Sequence, residues 1–234
     1  MNNSAGHHLL AALRGGLVVS CQANPGEPFR DSESMGKFAS SARMGGAVGV
    51  RTEGLSDIAL VHELIPLPQI GLWKTDDIED VFITPTVEHA LAVAQAGAEI
   101  VAIDGTRRLR PDGKTLRETI DAIREHTGVL VMADTATFDD AEFAISAGAD
   151  MVSTALSGYT RDSVDRGDGP DLDLVRAITE RFDTPVFAEG RFRTPAQAAK
   201  AIALGAHAVV VGAAITDPIA ISSWFVDAMK EAAP

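Results

Sequence analysis

Cysteine is almost absent from this chain: there is one, Cys21, in 234 residues. A single thiol rules out an intramolecular disulfide framework and any cysteine-rich metal cage. Basic residues are scarce as well, with 20 Lys plus Arg against 33 Asp plus Glu and a formal charge of −13. Phosphate backbones are bound through clustered Lys and Arg that release counterions, so the acidic balance argues against a nucleic-acid partner and, equally, an anionic membrane surface. No long block of one charge sign appears, no Pro/Ser-rich linker divides the chain, and its opening lacks the basic region and apolar core of a signal peptide. The most apolar stretch, 201–215, is interrupted by Gly205, His207 and Gly212 and is too short to span a bilayer. These absences lead to the expectation of a soluble, cytoplasmic globular protein.

What is present is regular. Short β-branched runs at 16–20, 47–51, 69–73, 100–104, 129–133, 151–154, 186–189 and 208–211 alternate with Ala/Leu/charged segments at 34–44, 56–64, 87–96, 116–126, 138–147, 172–181, 195–204 and 218–231. Eight strand candidates, most of them continuously apolar and each followed by a helix, predict an α/β fold, a single (β/α)8 TIM barrel of parallel strands over 1–234 with 1–12 as an N-terminal extension or helix. Helix ends carry their signals. Gly97, Gly148 and Gly205 follow helical runs as left-handed C-caps, and Thr194-Pro195 and Asp217-Pro218 read as cap followed by first helical residue.

Barrel chemistry sits at the carboxyl ends of the strands, so polar residues there are the functional candidates. In chain order they are Gln22, Arg51, Lys74, Asp104, Asp134, Ser157 with Tyr159, and Glu189, followed by the small-residue turn Gly212-Ala213-Ala214. Lys74 leaves the apolar run Ile70-Gly71-Leu72-Trp73, where desolvation disfavours the ammonium and makes neutral lysine accessible as a base. Burial at Glu189 favours its protonated form by the same physics. Such a pair can give and take protons on one carbon, can form a structural ion pair, or can leave Lys74 as a Schiff-base nucleophile. Glycines at Gly190, before Arg191, and at Gly212, before Ala213, uncover backbone N–H groups where barrels of this kind hold phosphate.

Other signals fail on their own terms. Gly113-Lys114-Thr115 ends like a P-loop, but Arg108 stands where the leading glycine is required. Ser157-Gly158 has Ala155 where a nucleophile elbow needs glycine. The six histidines are dispersed without metal-ligand spacing, so no metal is expected, and Cys21 reads as a small buried thiol.

Seven segments in order carry a family resemblance: Gly15-Gly-Leu-Val-Val-Ser-Cys-Gln22, Gly45-Gly-Ala-Val-Gly-Val-Arg51, Ile70-Gly-Leu-Trp-Lys74, Ile103-Asp-Gly-Thr106, Met132-Ala-Asp134, Leu156-Ser-Gly-Tyr-Thr160 and Phe187-Ala-Glu-Gly-Arg191. From about Leu13 onward the chain resembles the N-acetylmannosamine-6-phosphate 2-epimerases. The resemblance implies a TIM barrel that interconverts N-acetylmannosamine 6-phosphate and N-acetylglucosamine 6-phosphate by proton transfer at C2, in the breakdown of sialic acid and amino sugars. It implies no cofactor and no metal; a small phosphosugar as partner and a homodimer are expected. By the same resemblance Lys74 removes the C2 proton with Glu189 as the partner acid, and Gln22, Arg51 and Asp134 hold the sugar, with Ser157 grouped among them. Gly190, Arg191, Gly212 and Ala213 match the phosphate cradle.

Two positions depart from the family pattern. Asp217 stands where an arginine commonly follows Ile-Thr, and Thr75 where an arginine often follows the lysine. The first would weaken phosphate binding unless Asp217 points away to cap the last helix, with Arg191 or Arg193 compensating. It keeps open a 2-epimerase for an unphosphorylated or different N-acylhexosamine. A non-catalytic phosphosugar-binding barrel is the remaining alternative, since fold alone does not dictate activity.

Overall fold

The computed structural model describes residues 3–75, 81–164 and 167–232. Eight strands close into an all-parallel barrel in chain order: β1 (Leu17–Cys21), β2 (Gly49–Glu53), β3 (Gln69–Leu72), β4 (Ile100–Asp104), β5 (Leu130–Asp134), β6 (Met151–Ser153), β7 (Val186–Glu189) and β8 (Ala208–Val211). Around them run α1 (Asn3–Leu13), α2 (Ser32–Met44), α3 (Leu55–Leu64), α4 (Val87–Gln95), α5 (Leu116–His126), α6 (Phe138–Ala147), α7 (Leu172–Arg181), α8 (Pro195–Ala203), α9 (Ala213–Thr216) and α10 (Pro218–Glu231). The expected (β/α)8 barrel is present.

Alternation along each strand divides the apolar residues between two cores. Val18, Ile70, Leu72, Ile100, Met132, Met151, Phe187 and Val210 fill the barrel interior, and Leu13 of α1 packs with them. Outward-facing residues such as Val101, Ile103, Val131 and Val152 meet the helices, where α5 contributes Leu116, Ile120 and Ile123. At Gly71 the outer layer comes so close that a Cβ would lie 2.6 Å from that of Ala98 in the turn after α4 and 2.9 Å from Val93 on α4.

Local signals hold where they are chemically specific. Thr194 accepts a hydrogen bond from the Gln197 amide and Asp217 from the Ala220 amide, as N-caps followed by proline. Gly97, Gly148 and Gly205 have φ of +115°, +102° and +95°.

One strand boundary matters for function. The run 47–51 predicts Arg51 at the rim, yet β2 runs from Gly49 to Glu53 and all five residues are buried. The apolar pattern stops at Val50, but the strand continues because Arg51 is neutralised inside the barrel and Thr52 accepts a bond of 2.6 Å from Gln69 Nε2. Arg51 therefore sits two residues below the rim, and Glu53 occupies it.

Candidate active site

A cavity of about 490 Å³ opens at the carboxyl ends of the strands. Of the residues singled out from sequence, Gln22, Lys74, Tyr159, Glu189, Gly190, Arg191, Gly212 and Ala213 line it; Arg51, Asp104, Asp134 and Ser157 do not. A larger space, about 670 Å³, lies at the opposite end beneath α1. Two of its polar groups are already engaged: Arg124 holds Asp150 at 2.8 Å and His207 Nε2 lies 2.8 Å from the Leu10 carbonyl.

Arg51 and Asp134 lie buried beneath the upper cavity. Both are fully enclosed, and the guanidinium donates from Nη2 to Asp134 Oδ2 at 2.6 Å and from Nη1 to Oδ1 at 3.1 Å. The same Nη1 reaches up to Glu189 Oε2 at 2.9 Å. One cation thus serves two carboxylates. Asp134 takes the bidentate share and Glu189 a single bond, so Glu189 is the member that gains a proton more readily. Its pKa is pushed up to about 7, first by desolvation and then by Asp134, against the opposing pull of Arg51 and Lys74.

Lys74 stands above this pair, just beyond β3, at an antiparallel bridge to Ile83. The stem is fixed by the Thr84 amide, which donates to the Trp73 carbonyl at 2.8 Å, and by the Thr75 amide, which donates to the Phe82 carbonyl at 3.1 Å. Solvent reaches Lys74 through the cavity mouth. Crowding by protein nonetheless lowers its pKa, and the positive charge of Arg51 adds to this against Glu53, Glu189 and Asp134. The expectation that burial draws the two groups toward neutrality is met in direction for both.

The far end of the cavity is built from turns. Gly190 and Arg191 both have positive φ, +102° and +56°. The Arg191 guanidinium is held inside the protein, with Nε donating to the Gly169 carbonyl at 2.8 Å, Nη1 to the Ser157 carbonyl, and its plane 5.6 Å from the Tyr159 ring. Arg193 lies 5.1 Å over Trp224 of α10. Gly212 and Ala213 open α9, a turn of helix that sequence alone read as a loop. Asp217 lines this end as well as capping α10.

Ser157 is placed differently from expectation. Its hydroxyl donates to Asp171 Oδ2 at 2.7 Å, and Asp171 caps α7, so the serine ties the loop after β6 to the next helix. Ser20, which accepts from Gln22 Nε2 at 2.9 Å, lines the cavity from within β1, a position that a search for polar residues beyond the strand does not reach. Strand alternation could have found it. Trp224 left no such signal, since it arrives from the C-terminal helix. Cys21 is buried and its thiol pKa is pushed up to about 12 by desolvation. Among the described residues no cluster of His, Cys, Asp or Glu could hold a metal ion, and no helix is long and apolar enough to cross a membrane.

A closed (β/α)8 barrel with a lysine of lowered basicity and a carboxyl of raised pKa at one mouth defines a barrel protein equipped for proton transfer. Comparison with known proteins narrows the class. Residues 35–231 match the family described as "Putative N-acetylmannosamine-6-phosphate epimerase". A "Putative N-acetylmannosamine-6-phosphate 2-epimerase" of Cutibacterium acnes is 50% identical over 224 residues, 95% of this chain and 97% of the relative. One of Caldanaerobacter subterraneus is 43% identical over 95% of this chain and 94% of its own length. The solved N-acetylmannosamine-6-phosphate 2-epimerase of Clostridium perfringens superposes with a TM-score of 0.90 at 40% identity, covering 95% of this chain and 96% of that one. The chain belongs to the N-acetylmannosamine-6-phosphate 2-epimerase family.

Proposed function

We propose that this chain interconverts N-acetylmannosamine 6-phosphate and N-acetylglucosamine 6-phosphate by removing and replacing the proton on C2. The observation that carries the reading is the meeting of Lys74 and Glu189 in one cavity of a family member. The C2 hydrogen is acidic only when C1 is a carbonyl, so the open-chain sugar is the reacting form. Neutral Lys74 takes the proton from C2, the electron pair moves to the C1 oxygen as an enolate, and the Glu189 carboxyl returns a proton to the opposite face. Lys74 ends protonated and Glu189 ionised, which is the arrangement the reverse reaction requires. Both directions use forms with the same number of protons on the pair, so both share one bell-shaped pH profile whose limbs belong to the pair.

Arg51 and Asp134 act from below. Their bidentate pair fixes the Nη1 that holds Glu189, and so aims the acid at the cavity. Gln22 and Ser20 supply polar contacts to the sugar at the wall, and amides at Gly190, Arg191, Gly212 and Ala213 hold the phosphate. No cofactor is needed for these steps. The chain acts as one domain, 1–234, and its location is cytoplasmic, where a phosphorylated sugar is retained by its charge. A homodimer is part of the same reading: none of α10 is buried, and Ile219, Phe225, Val226 and Met229 are all exposed on it.

A second reading, favoured by Asp217 at the phosphate end, keeps the chemistry and drops the phosphate. Turnover on N-acetylmannosamine with and without the 6-phosphate tests both. A kcat/KM at least a hundredfold higher on the phosphorylated sugar supports the first reading; equal values or the reverse order support the second.

A further inference from the structure

Glu53 is a buried carboxylate at the rim that the steps above do not use. It ends β2, its side chain is 9% exposed, and its two oxygens are divided. Oε1 accepts the backbone amide of Lys74 at 3.4 Å, while Oε2 accepts from Arg30 Nη2 at 2.9 Å. Arg30 belongs to the segment between β1 and α2, and its other nitrogen lies 3.5 Å from Asp57 Oδ2 on α3. Asp57 is in turn fixed by the Ser32 hydroxyl at the start of α2. A relay therefore runs from two outer helices, through Arg30, to the carboxylate beside the stem on which Lys74 stands.

The charges facing Lys74 come from three strands: Arg51 and Glu53 on β2, Asp134 on β5 and Glu189 on β7. Arg51 is committed to Asp134 and Glu189, so those three form one hydrogen-bonded unit. Glu53 lies outside that unit. Among the carboxylates it exerts the largest pull on the Lys74 ammonium, and its own counterion is a half-exposed arginine.

We infer that Glu53 is a positioning residue that tunes Lys74 between its protonated and neutral forms, and that Arg30, by occupying one of its oxygens, sets how strongly it does so. The inference rests on the proposal that Lys74 transfers the C2 proton, because only there does its protonation state matter to turnover. The two substitutions have opposite signs. Glu53→Gln removes the anion, and Lys74 releases its proton at lower pH. Arg30→Gln frees Glu53 and removes a cation, and Lys74 releases its proton at higher pH. At the dielectric of a solvent-accessible mouth, each shift is about half to one pH unit.

Competitive acetylation of Lys74 across a pH series, read by peptide mass spectrometry on the folded protein, measures this without turnover. The midpoint is expected to fall in Glu53→Gln, rise in Arg30→Gln and return to the wild-type value in Arg30→Lys. The limb of the kcat/KM profile that tracks Lys74 should move with it. Midpoints that stay fixed, or move the same way in both variants, overturn the inference, as does Arg30→Lys behaving like Arg30→Gln. If the midpoints move as stated while Lys74→Ala still exchanges the C2 proton at the wild-type rate, the tuning stands and the catalytic assignment falls. A variant that fails to fold is replaced by Glu53→Asp, expected to lie between wild type and Glu53→Gln.

Discussion

Replacing Glu189 by glutamine should stabilise the protein in alkaline solution while removing its activity. In the folded state the carboxyl titrates at about 7 instead of its ordinary 4.5, mainly because burial penalises the anion. A carboxyl raised in this way favours folding least when ionised. Below pH 4.5 both folded and unfolded chains hold the proton and no cost arises; between 4.5 and 7 the unfolded chain ionises first and stability falls; above 7 the cost is constant. At about 1.4 kcal/mol per pH unit the full cost is about 3 kcal/mol. Glutamine keeps the shape, presents a neutral acceptor to Arg51 Nη1, and leaves the Arg51–Asp134 pair intact. Urea unfolding of wild type and Glu189→Gln should give equal stabilities near pH 4.5 and a variant more stable by about 2 to 3 kcal/mol at pH 8.5, on the order of 5 to 10 °C in Tm. A difference that does not change with pH, or a variant less stable at pH 8.5, would mean that Arg51 makes the ionised form the comfortable one, and the acid role of Glu189 would lose its physical basis.

Other consequences are local. Asp134→Ala leaves Arg51 buried beside Glu189 alone and should cost about 3 to 5 kcal/mol in denaturant unfolding. Asp217→Asn keeps an acceptor for the Ala220 amide, so stability should hold within about 0.5 kcal/mol while KM for the phosphosugar falls several-fold; an unchanged KM would place the phosphate elsewhere. Gly158→Ala forces a side chain onto a residue with φ of +86° and into the Arg191 guanidinium, so a loss of about 1 to 2 kcal/mol with a raised KM is expected from steady-state kinetics and thermal melts.

The barrel was legible because parallel strands buried on both faces are nearly continuous apolar runs, and β4, β7 and β8 begin and end where those runs do. The same signal failed at β2, where burial of Arg51 and Thr52 depends on Asp134 and Gln69, residues 83 and 17 positions away, and Glu53 is held by Arg30, 23 positions away. Such distant partners leave no local pattern that marks Glu53 as part of the strand. Ser157 is a candidate by its position after β6, yet its orientation is decided by Asp171, which no local pattern reveals. Arg191 was legible as a cation at the phosphate end but not as one engaged with the carbonyls of Ser157 and Gly169. Chemistry at strand ends could be read from sequence; which groups face the cavity and which brace it from beneath could not.

Proton transfer between Lys74, Glu189 and C2 is tested most directly by running the epimerisation of N-acetylmannosamine 6-phosphate in deuterated water and following C2 by NMR. Wild-type protein should place one solvent deuterium on C2 of each product molecule, and Lys74→Ala should place none on substrate or product over the same time. Product formed without solvent deuterium, or exchange by Lys74→Ala at the wild-type rate, would contradict it.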